Sequence, residues 1–446
     1  MKKIIYACLL SATTSVLLAP TTVPAEINKE YQAVLVDKSH NPDYNYKLEK
    51  GVLYAINVLQ QGIDVKLILT DKNEKQILDK DTPNGAYGYE KFEYTPPASG
   101  IYHLKIVRLE EEGNSEKGEV NILVKKISKS EIALREKIKK ELAPENAKVV
   151  QTLDIDHFWE AFDNLKNCKT RKDSIASFQA LYLDRATDGL KDFIDAREFT
   201  AEKFVNEVAH LPKFYNSIRK NTWESKNAVP LVEDVVSKFR EIYPNFKPFK
   251  VCFAIGLVNT GGTVSDKFLL IGTEVSTSTA NTDLSEFNNS AYSKQLANGS
   301  DVVQKIKNII AHEYVHTQQT TPLNKDAVSC SLLYMAMQEG FCDFIGELTS
   351  GSQINLVGLK YGDAHENELW QNFKNELCNS NANGWLYNYS SVKDKPADLG
   401  YYIGYKIAQE YYKNATDKKQ AVIDIIEMND PLGFLQRSRY DKKEKK

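Results

Sequence analysis

The sequence predicts a multidomain α+β chain, an N-terminal antiparallel β-sandwich followed by a mainly helical domain that carries a small β-sheet. Three observations predict it. From about Glu30 to Lys126 the apolar residues recur with period two and are cut by turn residues. From about Val149 to Tyr243 the period is helical, with Pro212, Pro230 and Pro244 as punctuation. Two short apolar runs, Lys250 to Gly256 and Phe268 to Gly272, then precede a further set of helical patterns.

The chain has 446 residues, 42% hydrophobic and 26% charged, with a net charge of -3. That balance is globular, has room for two or three domains, and carries no basic excess for binding nucleic acid. The first 25 residues differ. Lys2 and Lys3 lead into an apolar run from Ile4 to Ala19, and Val23-Pro24-Ala25 offers a small-residue cleavage point. This reads as an export signal removed after Ala25. The run is short for a spanning helix and is interrupted by Ser11, Thr13, Thr14 and Ser15; no later stretch is apolar enough to cross a bilayer. The mature protein is therefore expected in the periplasm or outside the cell. Five cysteines follow the cleavage point: Cys168, Cys252, Cys330, Cys342 and Cys378. In an oxidising compartment some should pair, and the odd number leaves at least one free.

Within residues 27–127 the expected strands are Tyr31 to Val36, Val52 to Leu59, Val65 to Leu69, Tyr89 to Tyr94, Ile101 to Leu109 and Val120 to Val124. Gln61-Gly62, Pro83-Asn84-Gly85, Pro96-Pro97 and Glu112-Gly113-Asn114 separate them, the spacing of an antiparallel sandwich. The stretch Ala98 to Ile106 resembles the closing strands of the pre-peptidase-like β-sandwich modules that flank many secreted bacterial peptidases. An accessory role is expected here, with a carbohydrate or cell-envelope partner as the alternative, and His103 reads as structural. A charged helix with Ile132, Leu134, Ile138 and Leu142 on one side follows as a linker over 128–148, ended by Ala143-Pro144-Glu145-Asn146. The second domain spans 149–440, and 441–446 form a charged tail. Asn259 to Thr263 reads as a turn between the two strands of the small sheet.

The chemistry is concentrated at His312-Glu313-x-x-His316, inside an apolar helical pattern of Val302, Val303, Ile306, Ile309, Ile310 and Val315. Residues four apart lie one turn up the same face, so both imidazoles can reach one metal. Glu313 then projects beside the open position as a base for a water molecule. A catalytic zinc site expects a third protein ligand. Glu339 follows His316 by 23 residues, room for a loop and a returning helix from about Asp326 to Leu348. Asp343 lies one turn further on the same face, where a carboxylate can fix the tautomer of a ligand histidine. Cys330, Cys342 and Cys378 cluster nearby without a C-x-x-C and read as buried thiols or one disulfide.

Together His312, Glu313, His316, Glu339 and Asp343 resemble the gluzincin metallopeptidases. Within that clan, the E-G-x-x-D-F form at Glu339 to Phe344 and the later Gly400-Tyr401-Tyr402-Ile403-Gly404-Tyr405 resemble the bacterial predicted zinc-protease family of the YjaZ type, related to gliding-motility lipoprotein B. The resemblance covers roughly Val150 to Tyr440. It implies a zincin-like fold, one zinc ion per chain on His312, His316 and Glu339, Glu313 as general base and acid, and Asp343 as orienter of His312. It also implies a proton donor to the oxyanion, for which Tyr401 is the choice ahead of Tyr402, Tyr405 and His365. The expected function is an exported zinc-dependent metallopeptidase acting on a peptide or protein substrate. Its alternatives are a cell-envelope binding or assembly factor with a weakly active or inactive peptidase-like domain, and a zinc hydrolase of a non-peptide substrate.

Overall fold

The computed structural model describes residues 22–81, 86–110, 114–288, 291–299, 301–319, 330–389 and 391–442. It divides between Lys139 and Lys140 into two compact units. Most of the expected export signal, the Pro83-Asn84-Gly85 turn, Glu112-Gly113 and the tail beyond Lys442 lie outside the described residues.

The first unit holds β1 (Val23–Ala25), β2 (Glu30–Asp37), β3 (Asp43–Leu48), β4 (Tyr54–Gln61), β5 (Val65–Thr70), β6 (Gln76–Lys80), β7 (Tyr87–Tyr94), β8 (Gly100–Arg108) and β9 (Lys117–Lys126). They form two sheets, β1-β3-β8-β5-β6 and β2-β9-β4-β7. Alternation builds the core between them: Tyr54, Ile56 and Val58 of β4 are buried with Val65, Leu67 and Leu69 of β5 and Val120, Ile122 and Val124 of β9. Three strands were not expected. In β3 the buried positions are Tyr44, Tyr46 and Leu48, alternating with polar residues just after an Asn-Pro-Asp stretch that reads as a turn. β6 is a polar edge strand, and β1 pairs in parallel with β3 (Val23 with Tyr44, Ala25 with Tyr46), so the sandwich is antiparallel except at that edge. His103 faces Asp43 at 3.8 Å.

Helix α1 (Lys129–Asn146) carries the division. It does not stop at Ala143-Pro144: Pro144 lacks an N–H, yet Ala147 still donates to the Ala143 carbonyl at 3.1 Å and the last turn closes around it.

The second unit begins with β10 (Val150–Gln151) and helices α2 (Leu153–Asn164), α3 (Arg171–Leu181), α4 (Asp188–Arg197), α5 (Ala201–His210), α6 (Pro212–Thr222) and α7 (Val229–Ile242). Pro212 and Pro230 occupy the first turns of α6 and α7, where the missing N–H costs nothing. Next come β11 (Lys250–Ala254), β12 (Gly262–Val264) and β13 (Phe268–Gly272), giving a sheet of order β10-β11-β13-β12. β11 runs parallel to both neighbours, while β12 pairs antiparallel to β13 and forms an edge. The expected Asn259–Thr263 turn is thus shorter, with Gly262 and Thr263 drawn into β12. After the short α8 (Thr273–Ser276) and α9 (Ala291–Leu296) come α10 (Val302–Gln318), α11 (Ser331–Ser350), α12 (Leu356–Ala364), α13 (Glu366–Lys374), α14 (Leu399–Asn414), α15 (Lys418–Ile426) and α16 (Pro431–Ser438). Pro431 opens α16, with Asp430 capping the Gly433 N–H at 2.9 Å.

Phe158 packs against Tyr182, Phe204 and Tyr215 in the helical core, with centroids 5.4–6.1 Å apart. Cys330 and Cys378 form a disulfide, tying the start of α11 to the segment after α13, while Cys168, Cys252 and Cys342 are free thiols. Among the described residues no helix is long and apolar enough to cross a membrane.

Candidate active site

Helix α10 starts at Asp301, whose side chain accepts from the Gln304 N–H. Ile306, Ile310, Ala311, Tyr314 and Val315 are buried along it, and this anchoring holds His312 and His316 in place one turn apart. Their Nε2 atoms are 3.2 Å from each other. Helix α11 returns alongside, ending on Gly351 in the left-handed region at φ +83°, and brings Glu339 to the same point. Glu339 Oε2 stands 3.5 Å from His312 Nε2 and 3.3 Å from His316 Nε2.

These separations test the fit to a metal. Three donors each about 2.0–2.1 Å from a tetrahedral zinc would sit about 3.3–3.4 Å apart, the edge of the tetrahedron. The observed 3.2, 3.3 and 3.5 Å match that edge. The far ring nitrogens agree with it. His312 Nδ1 lies 2.9 Å from Asp343 Oδ1 and His316 Nδ1 lies 3.0 Å from Gln319 Oε1. Gln319 donates its own NH₂ to the Gln338 carbonyl at 2.8 Å, which turns its oxygen toward His316. With both Nδ1 atoms donating to fixed oxygens, the proton each ring gives up to a metal is the one on Nε2, which frees both lone pairs toward the shared point.

Cys342 Sγ also lies within 4.8 Å of the two imidazole nitrogens. Burial raises this thiol well above its ordinary range, and the carboxylates of Glu339, Glu313 and Asp343 raise it further, so it stays protonated. For Glu339 burial acts upward too, but hydrogen bonds from His312 and His316 outweigh it and hold the carboxyl well below its usual range. Glu339 is therefore the anionic member of the donor set. His312 and His316 are both raised, since hydrogen bonds to Asp343 and Glu339 overcome the opposing effect of burial.

Glu313 is 8% exposed and faces Gly262 of β12, where an added Cβ would come 2.5 Å from Glu313 Oε1. Only a glycine lets the edge strand approach this carboxylate. Burial raises the Glu313 pKa above that of an ordinary glutamate, with the two imidazoles pulling the other way.

Helix α14 packs on α11 through paired glycines. A Cβ on Gly340 would lie 2.2 Å from Tyr405 N and 2.4 Å from Tyr401 O, and one on Gly404 would lie 1.9 Å from Ala336 O. This close approach lays the Tyr401 ring against His312, centroids 6.1 Å apart and 16° from parallel. The other three alternatives point elsewhere. Tyr402 OH donates to Asp363 Oδ1 at 3.2 Å and Tyr405 OH to Glu347 Oε2 at 2.6 Å. His365 stacks on Tyr361 and contacts its carbonyl at 2.8 Å.

Sequence reasoning missed Tyr387, whose hydroxyl donates to Glu339 Oε1 at 2.8 Å. Tyr387 has φ +55°, an uncommon conformation for a bulky residue, and the turn is braced by Asn388 and Asp398, which bond each other's side chains and backbone at 3.2 and 2.9 Å. Glu274 was missed as well. It is fully buried, accepts from Gly256 N at 2.7 Å and Val258 N at 3.0 Å, and so shapes the loop that feeds β12; burial pushes its pKa up to about 7. Neither residue sits in a motif, and only a three-dimensional arrangement could have found them.

Residues 292–429 match the model of a family described as a predicted Zn-dependent protease, DUF2268. The matched stretch contains His312, Glu313, His316, Glu339, Asp343, Tyr387 and Tyr401. It is under a third of the chain, and over that stretch the chain is similar to a family of predicted zinc-dependent proteases. No curated protein matches the sequence. Among solved structures, the pre-peptidase C-terminal domain of a collagenase from Bacillus anthracis is 19% identical with a TM-score of 0.19, covering 23% of this chain and 94% of that one. PliG from Aeromonas hydrophila, a periplasmic inhibitor of g-type lysozyme, is 12% identical at a TM-score of 0.19, covering 23% and 96%. IMPa from Pseudomonas aeruginosa, solved with an O-glycopeptide, is 10% identical at a TM-score of 0.19, covering 94% of this chain and 44% of that one. At such scores no function follows from these three likenesses.

Proposed function

We propose that this protein is an exported zinc-dependent peptidase of the gluzincin type, with His312, His316 and Glu339 holding one zinc ion. The observation that carries the reading is the convergence of two imidazole Nε2 atoms and one carboxylate oxygen at 3.2–3.5 Å, beside a buried glutamate. Zinc, when bound, supplies Lewis acidity toward a carbonyl and an activated water.

The protein's own residues supply the rest. An extended peptide pairs with the free edge of β12, main chain to main chain, which lays the scissile bond beside Glu313. Glu313 takes a proton from the attacking water and returns it to the leaving amine. Its raised pKa suits both halves of that task, since a base that is too acidic holds the proton poorly. Asp343 fixes His312, Gln319 fixes His316, and Tyr387 fixes Glu339 through its second oxygen. The Tyr401 hydroxyl, on a ring lying against His312 and without a hydrogen-bond partner among the described residues, is the donor to the oxyanion. The β-sandwich is an accessory module, and export follows from the N-terminal signal.

The test is cleavage of a mixed-sequence peptide library by zinc-loaded protein and by its Glu313→Gln variant, with bound zinc measured in both. Glu313→Gln should retain about one zinc per chain and lose hydrolysis by roughly a thousandfold or more. Undiminished cleavage by the variant, or wild-type protein that takes up no zinc, would sink the reading.

A further inference from the structure

Arg197, the last residue of α4, stands apart from the ligands yet reaches the same corner of the site. Its Nη2 donates to Thr260 Oγ1 at 3.3 Å, and that hydroxyl donates in turn to the Gly262 carbonyl at 2.6 Å. Gly262 is the residue whose α-carbon faces the Glu313 carboxylate. Three short links therefore join the guanidinium to the base, along the edge strand that receives the substrate backbone. Arg197 acts on Glu313 as a positive charge, drawing its pKa down against the effect of burial.

The guanidinium is under-used where it stands. It is partly buried, its Nε is enclosed and has no hydrogen-bond partner, and no carboxylate pairs with it among the described residues. The other partly buried arginines of the same unit are paired, Arg185 with Glu160 at 2.5 Å and Arg219 with Asp163 at 2.7 Å. An arginine carries five donors in a rigid fork and keeps its charge at every physiological pH. Its single hydrogen bond is to a neutral hydroxyl, and Glu313 acts on it through charge without a direct pairing, so donors of the fork remain for an anion. A purely structural prop for the 256–260 loop needs no charge, since Glu274 already fixes that loop from beneath.

We infer that Arg197 is a substrate-binding residue that takes a carboxylate of the peptide laid along β12, and so sets a preference for acidic substrates. This inference rests on the peptidase reading. The carboxylate can come from the peptide's C-terminus or from an Asp or Glu side chain next to the scissile bond. Either presents two oxygens to the fork of the guanidinium.

The experiment uses one mixed peptide library in free-acid and C-terminally amidated forms, each split into Asp/Glu-containing and Asn/Gln-containing halves. Cleavage is followed with zinc-loaded wild type and Arg197→Met. Retention of the same peptides is measured by equilibrium dialysis on Glu313→Gln and on Glu313→Gln combined with Arg197→Met. The carboxylate-bearing peptides should be cleaved and retained about 10- to 100-fold better, the worth of a charged hydrogen-bonded pair, and Arg197→Met should abolish that ratio while zinc content and melting temperature persist. Arg197→Lys should restore it in part, because a point charge remains without the fork. Loss of preference confined to the amidated set marks a C-terminal carboxylate; loss confined to the Asn/Gln set marks a side chain. Equal handling of all four sets by the wild type, or a preference that survives Arg197→Met, overturns the inference. No cleavage of any peptide together with a carboxylate preference in dialysis that needs Arg197 would refute the peptidase reading alone and leave Arg197 as an anion-binding residue.

Discussion

Gly340→Ala tests whether the helix pair α11–α14 sets the position of Tyr401. The new Cβ would stand 2.2 Å from Tyr405 N and 2.4 Å from both Gly404 C and Tyr401 O. All three are backbone atoms that no rotamer change can remove. To reach ordinary contact at about 3.4 Å the helices must part by about 1 Å. Helix α11 has no room to give on its other side, because Gly346 already sits against the α10 backbone, its added Cβ being 3.3 Å from His312 N. The strain therefore falls on α14, and Tyr401 moves with it. Overpacking of this kind costs about 1–3 kcal/mol, a fall in melting temperature of about 2–10 °C for a unit of this size. A catalytic group displaced by about 1 Å can lose about 100-fold in rate. The expected phenotype is a modest thermal loss, near-normal zinc content because His312, His316 and Glu339 stay together on α10 and α11, and kcat lowered by at least about tenfold. Gly384→Ala is the control, since nothing lies within 4 Å of the added carbon. An unchanged melting temperature would refute the packing argument. Full kcat in a destabilised protein would refute the role of Tyr401, and loss of zinc would show that α11 had moved instead.

Three other outcomes follow from the same geometry. Asp343→Asn should weaken zinc binding by about 10- to 100-fold, because the amide cannot hold His312 in the tautomer that presents Nε2; competition against a chelator reads this, and an unchanged affinity would rule out the orienting role. Tyr401→Phe should lower kcat by about 100- to 1000-fold with zinc and KM near wild type, whereas Tyr387→Phe should act first on zinc affinity, since its hydroxyl holds a ligand oxygen; equal effects of the two on kcat and none on zinc would contradict the division. The third concerns pH. His312 and His316 have folded pKa values above 6.5, so in zinc-free protein their contribution to stability is complete below about pH 6.5 and is lost as pH rises through the folded values. Zinc must displace those same protons, so its affinity should climb with pH over the range in which the zinc-free protein weakens. Calorimetric melts with and without zinc between about pH 6 and 9 should diverge, and parallel curves would refute the coupling.

The fold class was legible because period two and period 3.6 are imposed by burial on one face, and both survive in β4, β5, β9 and α10 without regard to tertiary detail. The missed strands lack that imprint. β6 is a polar edge with little to bury, β1 has only three residues, and β3 alternates tyrosines that read as neither core nor surface. Pro144 is expected to end its helix, yet α1 runs through it to Asn146, because the turn that lacks its N–H still closes through Ala147. Gly262 was assigned to a turn because two adjacent glycines there suit a tight bend. Its place is in a strand, and what demands glycine is the Glu313 carboxylate 51 residues later in the chain.

The site divides along the same line. His312, His316, Glu339 and Asp343 are spaced by helices, so that i,i+4 steps on α10 and α11 place each pair on one face. Tyr387 and Arg197 obey no such rule. One arrives on a turn held at φ +55° by a pair of hydrogen bonds, the other at the end of a helix more than a hundred residues before the histidines. Each acts through one polar contact, with Glu339 Oε1 or with Thr260 Oγ1, and nothing in the local sequence records a contact of that range. The consequence is physical as well as practical. Metal binding depends on spacings that two helices fix, with Tyr387 bracing one ligand from a turn. On the proposed reading, substitutions at Arg197 should alter which peptides are cleaved while zinc content stays constant, and substitutions at Asp343 should do the reverse.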